Sequence, residues 1–248
     1  MPVRSHSLLS RIAHAVRRRF VDSPPASIEP EFAALFAKMR PFTMMSWERM
    51  YAVHQAAKYI AAAGIPGDVV ECGVWRGGAS MLVASTLLAA GDASRRLILY
   101  DTFAGMTRPT NADRAHTGEP AMKQWAAEQR EDFNTWCYAP IDEVRRNVLS
   151  TGYPADRIEL VKGDVERTIP AHLPEAIALL VLDTDWYAST RHELEHLYPL
   201  LASRGVLIID DYGHWSGARQ AVDEYFREHG VSLLLNRVDY TGRVGVKP

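Results

Sequence analysis

Residues 179–214 read LLVLDTDWYASTRHELEHLYPLLASRGVLIIDDYGH, and two short apolar runs in that stretch end abruptly in carboxylates. Leu179–Leu182 delivers Asp183 and Asp185, and Val206–Ile209 delivers Asp210 and Asp211. The segment between them has helical apolar spacing, so the stretch reads as strand–helix–strand with a right-handed crossover. Parallel strands point the same way. The four acids therefore meet at the carboxyl edge, where open α/β sheets hold their ligands. Carboxylates that close repel one another and do not all stay ionised without a positive charge among them. Two accounts compete. Aspartates at strand ends commonly cap turns and helices, and for a lone aspartate that account is the plainer one. Two pairs on adjacent strand ends better suit a hard divalent cation such as Mg²⁺, which takes oxygen ligands and keeps positions open for water or substrate. Acids with perturbed proton affinity also cluster at functional sites.

A second informative stretch is VVECGVWRGGAS, residues 69–80. An apolar strand, Asp68–Val74, runs into Gly73 and then Gly77-Gly78 before a helix over Ala79–Ala90. Such glycines permit a tight turn and close ligand approach, and a helix N-terminus favours negative charge. The G-x-G-x-x-G dinucleotide spacing is absent, which disfavours nicotinamide-dependent oxidoreduction. Glu71 is the more telling residue, because a carboxylate in a buried strand is costly without a partner. A ligand amine would serve. The next strand, Leu97–Tyr100, ends in Asp101, about 28 residues after Gly73, roughly where such folds grip a ribose with an acid. The alternative is an N-cap. A third strand, Arg157–Val161, leads to Gly163, Asp164 and Val165 at the same edge.

The elements that must position these residues follow in order. Residues 1–20 carry five Arg and no acid, leaving 23 basic and 30 acidic residues in the remainder. This basic, mildly amphipathic extension and the SPPASIEP linker occupy residues 1–30. It suits packing on the domain or on a second subunit better than contact with an anionic membrane. Residues 31–66 read as a helical cap interrupted by PFTMMS, with Ser46 capping a helix from Trp47 to about Ala63. Residues 103–140 are polar and irregular and read as a lid bearing Phe103, Met106, Trp125, Phe133, Trp136 and Tyr138. Ile141–Ser150 and Gly217–Glu228 read as helices. Val231–Val238 and Arg243–Val246 form a hairpin that ends the sheet antiparallel. Residues 31–248 are thus one domain. HELEH, 192–196, matches the zinc-peptidase spacing, but Leu194, Leu197, Tyr198 and Leu201 define the apolar stripe and both histidines point away from it, toward solvent.

Composition narrows the classes. Hydrophobic residues make up 47% and the net charge is −2, which argues for a packed domain and gives no reason to expect nucleic acid. Two cysteines, Cys72 and Cys137, make no disulfide framework and suggest a reducing, cytoplasmic setting. No apolar run reaches the ~18 residues of a membrane span.

With these residues in hand, the chain resembles the macrocin O-methyltransferase family (TylF/MycF type), which also includes the novobiocin sugar methyltransferase. The likeness runs from about Pro41 to Gly230 and rests on TMMSWERM, GIPGDVVECGVWRGG, DTFAGM, VKGDVERTIP, LDTDWYAST and IIDDYGHWSGARQAVDEY. It implies a class I methyltransferase fold, Rossmann-like: a parallel sheet with an antiparallel C-terminal hairpin, a helical cap and a lid. It implies S-adenosyl-L-methionine and Mg²⁺ as cofactors, a glycosylated small-molecule acceptor, and a homodimer or higher homo-oligomer. Glu71 and Gly73 would hold the methionine part of the cofactor, Asp101 the ribose, and Gly163 and Asp164 would lie beside the adenine. Thr43 and Met44 would cover it. Asp183, Asp210 and Asp211 would ligate Mg²⁺, with Asp185 as general base. Many relatives have Ser where this chain has Ala79, so Ser80 or backbone amides would take over. The chemistry is coherent, since an alcohol attacks a sulfonium methyl poorly while it keeps its proton and a hard cation eases the proton's loss. Rival readings are methylation of a phenol or catechol in a slot built from Trp125, Trp136, Trp186 and Trp215, and a non-catalytic cofactor-binding scaffold.

Overall fold

The computed structural model describes residues 23–248, so the basic extension lies almost wholly outside the described residues. The cap comprises α1 (Pro30–Met39), a 3-10 turn at Arg40–Phe42 and α2 (Trp47–Ala62). Ser46 caps α2 as its type predicts, its hydroxyl accepting from the Arg49 amide at 3.2 Å. Then follow β1 (Asp68–Cys72), α3 (Gly78–Ala89), β2 (Leu97–Asp101), α4 (Ala121–Glu128), α5 (Ile141–Leu149), β3 (Ile158–Lys162) and the single turn α6 (Val165–Thr168). The chain ends with β4 (Ile177–Leu182), α7 (Tyr187–Leu197), β5 (Leu201–Ile209), α8 (Ser216–Glu228), β6 (Asn236–Arg237) and β7 (Arg243–Val246).

The strands form one seven-stranded sheet in the order β3-β2-β1-β4-β5-β7-β6. The first five are parallel, and β7 joins β5 antiparallel. All of β4 is buried, and its side chains alternate between two cores. Ala178, Leu179 and Val181 face the cap with α3 and α5, while Ile177, Leu180 and Leu182 face α7 and α8. A strand covered on both faces loses the polar alternation of a surface strand, which is why these runs are uniformly apolar.

Three expectations are corrected. Residues 231–235 are not strand, and only Asn236 and Arg237 pair with β7. Val231, Leu233 and Leu235 instead pack on the α7/α8 core while Leu234 is exposed. β5 begins at Leu201, so Leu201 belongs to the strand, because Pro199 cannot continue α7. The lid is not simply irregular, since it contains α4 and its Trp136 joins a small core of Ala121, Trp186, Trp215 and Ala218.

Glycine is required where β1 meets β4. Gly73 has φ +84°, and a Cβ there would lie 1.9 Å from the Asp183 carbonyl oxygen. Gly73→Ala is expected to lower unfolding free energy by about 2–5 kcal/mol, from left-handed strain plus overpacking. Urea denaturation checks this, and a loss below about 1 kcal/mol would show that the two strand ends are not so tightly apposed.

Candidate active site

β4 and β5 are neighbours, and each ends in its pair of acids. The edge is continued by backbone bonds, Asp183 N–H to the Cys72 carbonyl at 2.8 Å and Asp210 N–H to the Leu182 carbonyl at 2.9 Å. One carboxylate oxygen from each of Asp183, Asp210 and Asp211 lies within 4.8 Å of the others. Asp210 and Asp211 are buried, while Asp183 and Asp185 are half-buried. All four line a cavity of about 580 Å³. Asp185 lies beside the cluster of three, against Asp211. Its φ is +69°, uncommon for a residue with a side chain, so the surrounding structure must hold it there. Its amide donates to Oδ2 of Asp211 at 3.0 Å.

Removal from bulk water is the largest influence on every one of these acids, and mutual repulsion adds to it. Burial, then Asp183, push Asp185 up to about 7. Burial, then Asp210 and Asp211, raise Asp183 well above the usual range, and burial with Asp185 does the same to Asp211. Burial also raises Asp210, against the pull of Arg49. That arginine was not singled out from the sequence. It lies in the first turn of α2, donates to Asp210, and places Nε 3.1 Å from Oδ2 of Asp239. Burial works against its charge, but Asp210, Asp183, Asp239 and Asp211 more than offset that. One guanidinium does not balance four acids. Oδ1 of Asp210 is buried with no hydrogen-bond partner among the described residues, and the three candidate ligands are hard oxygens, so the residues present fit a divalent cation.

Met44, Gly73, Asp101, Gly163 and Asp164 line the same cavity. Asp101 accepts from the amides of Val74 at 2.7 Å, Trp75 at 3.0 Å and Phe103 at 2.7 Å, so it shapes the β1–α3 turn as well as facing the cavity. Asp164 also caps α6, accepting from the Glu166 amide at 3.0 Å. Thr43, Glu71 and Ser80 are buried behind the cavity wall rather than in it. The partner that Glu71 needs is supplied from within: the Ser80 hydroxyl donates to it, and burial pushes its carboxyl up to about 8. Ser80 is therefore turned toward Glu71, not toward the cavity.

Two buried acids escaped the sequence reading. Asp113 fastens the lid, accepting from the Tyr187 amide at the start of α7 at 2.8 Å and from the Thr110 amide at 2.6 Å. Glu193, fully buried, accepts from the hydroxyl of Thr184, which stands between Asp183 and Asp185, at 2.9 Å. Its place was legible, since it lies about 40° around the helix from Leu197 on the apolar face. The histidines of HELEH need correction too. They are half-buried, not free in solvent, with His192 Nε2 2.8 Å from the Ile169 carbonyl and His196 Nδ1 bonded to the His192 carbonyl at 2.9 Å. The chain after α6 folds back over that face of α7. Lid and hairpin close the far wall of the cavity with His116, His214 and Tyr240, and His214 Nδ1 lies 3.0 Å from the Tyr240 hydroxyl.

Burial pushes Glu193 up to about 8 from 4.5. The native state therefore binds this proton more tightly than the unfolded chain does. The associated stability is complete below about 4.5 and is lost as pH rises through about 8. Glu193→Gln cannot lose it. The variant is expected to melt near wild type at pH 5 and above wild type beyond pH 8. Parallel melting curves across that range would contradict a neutral buried Glu193.

The macrocin O-methyltransferase (TylF) family model matches residues 35–245. The chain is 34% identical over 81% of its length to an 8-demethyl-8-(2,3-dimethoxy-alpha-L-rhamnosyl)-tetracenomycin-C 4'-O-methyltransferase from Streptomyces olivaceus, covering 73% of that protein. It is 32% identical, again over 81% of its length, to the mycinamicin III 3''-O-methyltransferase of Micromonospora griseorubida, 76% of which is covered. Among solved structures, the O-methyltransferase NovP superposes with a TM-score of 0.72 at 28% identity, covering 83% of this chain and 82% of NovP. The expected class I methyltransferase fold is thus observed, and the methyl donor is S-adenosylmethionine. The chain belongs to the macrocin O-methyltransferase family and is an O-methyltransferase.

Proposed function

We propose that this enzyme methylates a sugar hydroxyl of a glycosylated metabolite and that it uses Mg²⁺ to do so. The observation that carries the reading is the convergence of Asp183, Asp210 and Asp211, with Asp185 bonded to Asp211 through its amide. The first three would hold the cation. When bound, S-adenosylmethionine supplies an electrophilic methyl group, and Mg²⁺ acidifies and orients an acceptor hydroxyl. Asp185, two residues beyond Asp183, would take the hydroxyl proton directly or through water. Asp211 holds the Asp185 backbone in place through its amide.

Gly73, Asp101, Gly163 and Asp164 would flank the donor and Met44 would cover it, while Thr43, Glu71 and Ser80 would support it from behind the wall. A sugar acceptor suits the polar remainder of the cavity, to which His116, Thr117, Glu119 and Gln124 contribute. The relatives from Streptomyces olivaceus and Micromonospora griseorubida point the same way, the first by its rhamnosyl substrate. A planar phenol needs parallel aromatic walls. Trp136, Trp186 and Trp215 instead meet at 56–71°, and neither Trp125 nor Trp186 lines the cavity. A homo-oligomer acting in the cytoplasm completes the proposal, supported by the family resemblance and by two cysteines that are not paired with each other. No helix among the described residues is long and apolar enough to cross a membrane.

Turnover with rhamnose-bearing glycosides tests the reading. Asp185→Asn is expected to lower kcat by about 10²–10⁴-fold while S-adenosylhomocysteine affinity stays within about threefold of wild type. Near-normal turnover would remove Asp185 from the mechanism.

A further inference from the structure

The acid cluster has a resident cation, and it comes from the cap. Arg49 donates through Nη1 to Oδ2 of Asp210. Its Nη2 donates to the Met44 carbonyl at 3.3 Å, and its Nε sits 3.1 Å from Oδ2 of Asp239. Asp239 in turn accepts from the Ser46 hydroxyl at 2.9 Å and from the amides of Thr241 at 2.9 Å and Gly242 at 2.7 Å. Thr241 closes the loop by donating its hydroxyl to the Asp210 carbonyl at 2.7 Å. The stem of Arg49 lies against Gly242, where a Cβ would come within 2.9 Å of it. Cap, hairpin turn and acid cluster are thus joined at one guanidinium whose side chain is only 13% exposed.

This arrangement treats the two oxygens of Asp210 differently. Oδ2 is committed to Arg49, while Oδ1 is buried with no hydrogen-bond partner among the described residues. A fixed positive charge this near the acids also opposes a second cation, and burial strengthens the opposition. We propose that Arg49 is a positioning residue of the metal site. It holds Asp210 by one oxygen, making that residue a one-oxygen donor to a divalent cation, and its charge keeps cation affinity below what the acids alone would give. Because it also holds the Met44 carbonyl, it ties the cover of the cavity to the same acid. The inference rests on the Mg²⁺ reading above.

Calorimetric titration of Mg²⁺ into wild type, Arg49→Gln and Arg49→Lys tests it, with melting temperatures in EDTA and in Mg²⁺ alongside. Arg49→Gln keeps a donor and removes the charge, so it is expected to melt lower than wild type in EDTA yet bind Mg²⁺ at least about tenfold more tightly. Arg49→Lys keeps the charge and is expected to bind Mg²⁺ within about threefold of wild type. A merely structural arginine would weaken Mg²⁺ binding in both. Wild-type binding with equal or weaker binding by Arg49→Gln overturns the role of Arg49 and leaves the metal reading standing. No Mg²⁺ response in wild type overturns the metal reading and this inference with it. If Arg49→Gln does not fold even with Mg²⁺, Arg49→Lys decides, and a loss beyond tenfold overturns the proposal.

Discussion

Repulsion among buried carboxylates is the constraint on which this structure turns. Asp183, Asp185, Asp210 and Asp211 are brought to one edge by adjacent parallel strands, and each is pushed toward its neutral form. A fold that merely sought stability would place apolar residues there, since uncompensated buried charge is strongly unfavourable. The surrounding chain partly neutralises them through Arg49 and leaves a deficit of positive charge among them. On the proposed reading, a divalent cation held by Asp183, Asp210 and Asp211 would fill that deficit, and Asp185 would serve as the base beside it.

Much of the remaining architecture serves that edge. Gly73 lets the end of β1 press against the Asp183 backbone. Asp101 braces the β1–α3 turn through the amides of Val74 and Trp75 and the chain after β2 through that of Phe103. Glu71 with Ser80 on one face of the sheet backs the β1–α3 turn, and Glu193 with Thr184 on the other backs the β4–α7 turn, burial pushing both acids toward their neutral forms. The lid is pinned to the N-terminus of α7 by Asp113, and a Cβ at Gly217 would strike that carboxylate at 2.0 Å. Cavity walls from four separate parts of the chain are thereby fixed relative to the acids.

The doubly wound core was legible in sequence because its strands are short apolar runs that stop at glycine or aspartate, and because Ser46 and Gly230 punctuate helices in the ordinary way. The acid cluster was legible for the same reason, since strand ends are where side chains reach the carboxyl edge. What could not be read depended on contacts distant in sequence. Nothing local marks Arg49 as the partner of Asp210, 161 residues away. The tryptophans looked like a slot because their number was visible and their angles were not. Val231–Leu235 alternates like a strand, yet its inward side chains find a helical core rather than a ladder partner. Glu71 announced a need for a partner correctly, but the sequence could not say whether the partner was a ligand or Ser80.

The central claim is that three of these carboxylates form one oxygen-donor metal site beside a separate base. Anomalous diffraction from a crystal grown with Mn²⁺ and S-adenosylhomocysteine tests it most directly. The account predicts a single manganese within bonding distance of Asp183, Asp210 and Asp211, with Arg49 still on the other oxygen of Asp210 and Asp185 outside the coordination shell. A cavity that holds S-adenosylhomocysteine with no manganese at those three aspartates, or with manganese bound by Asp185 instead, would contradict it.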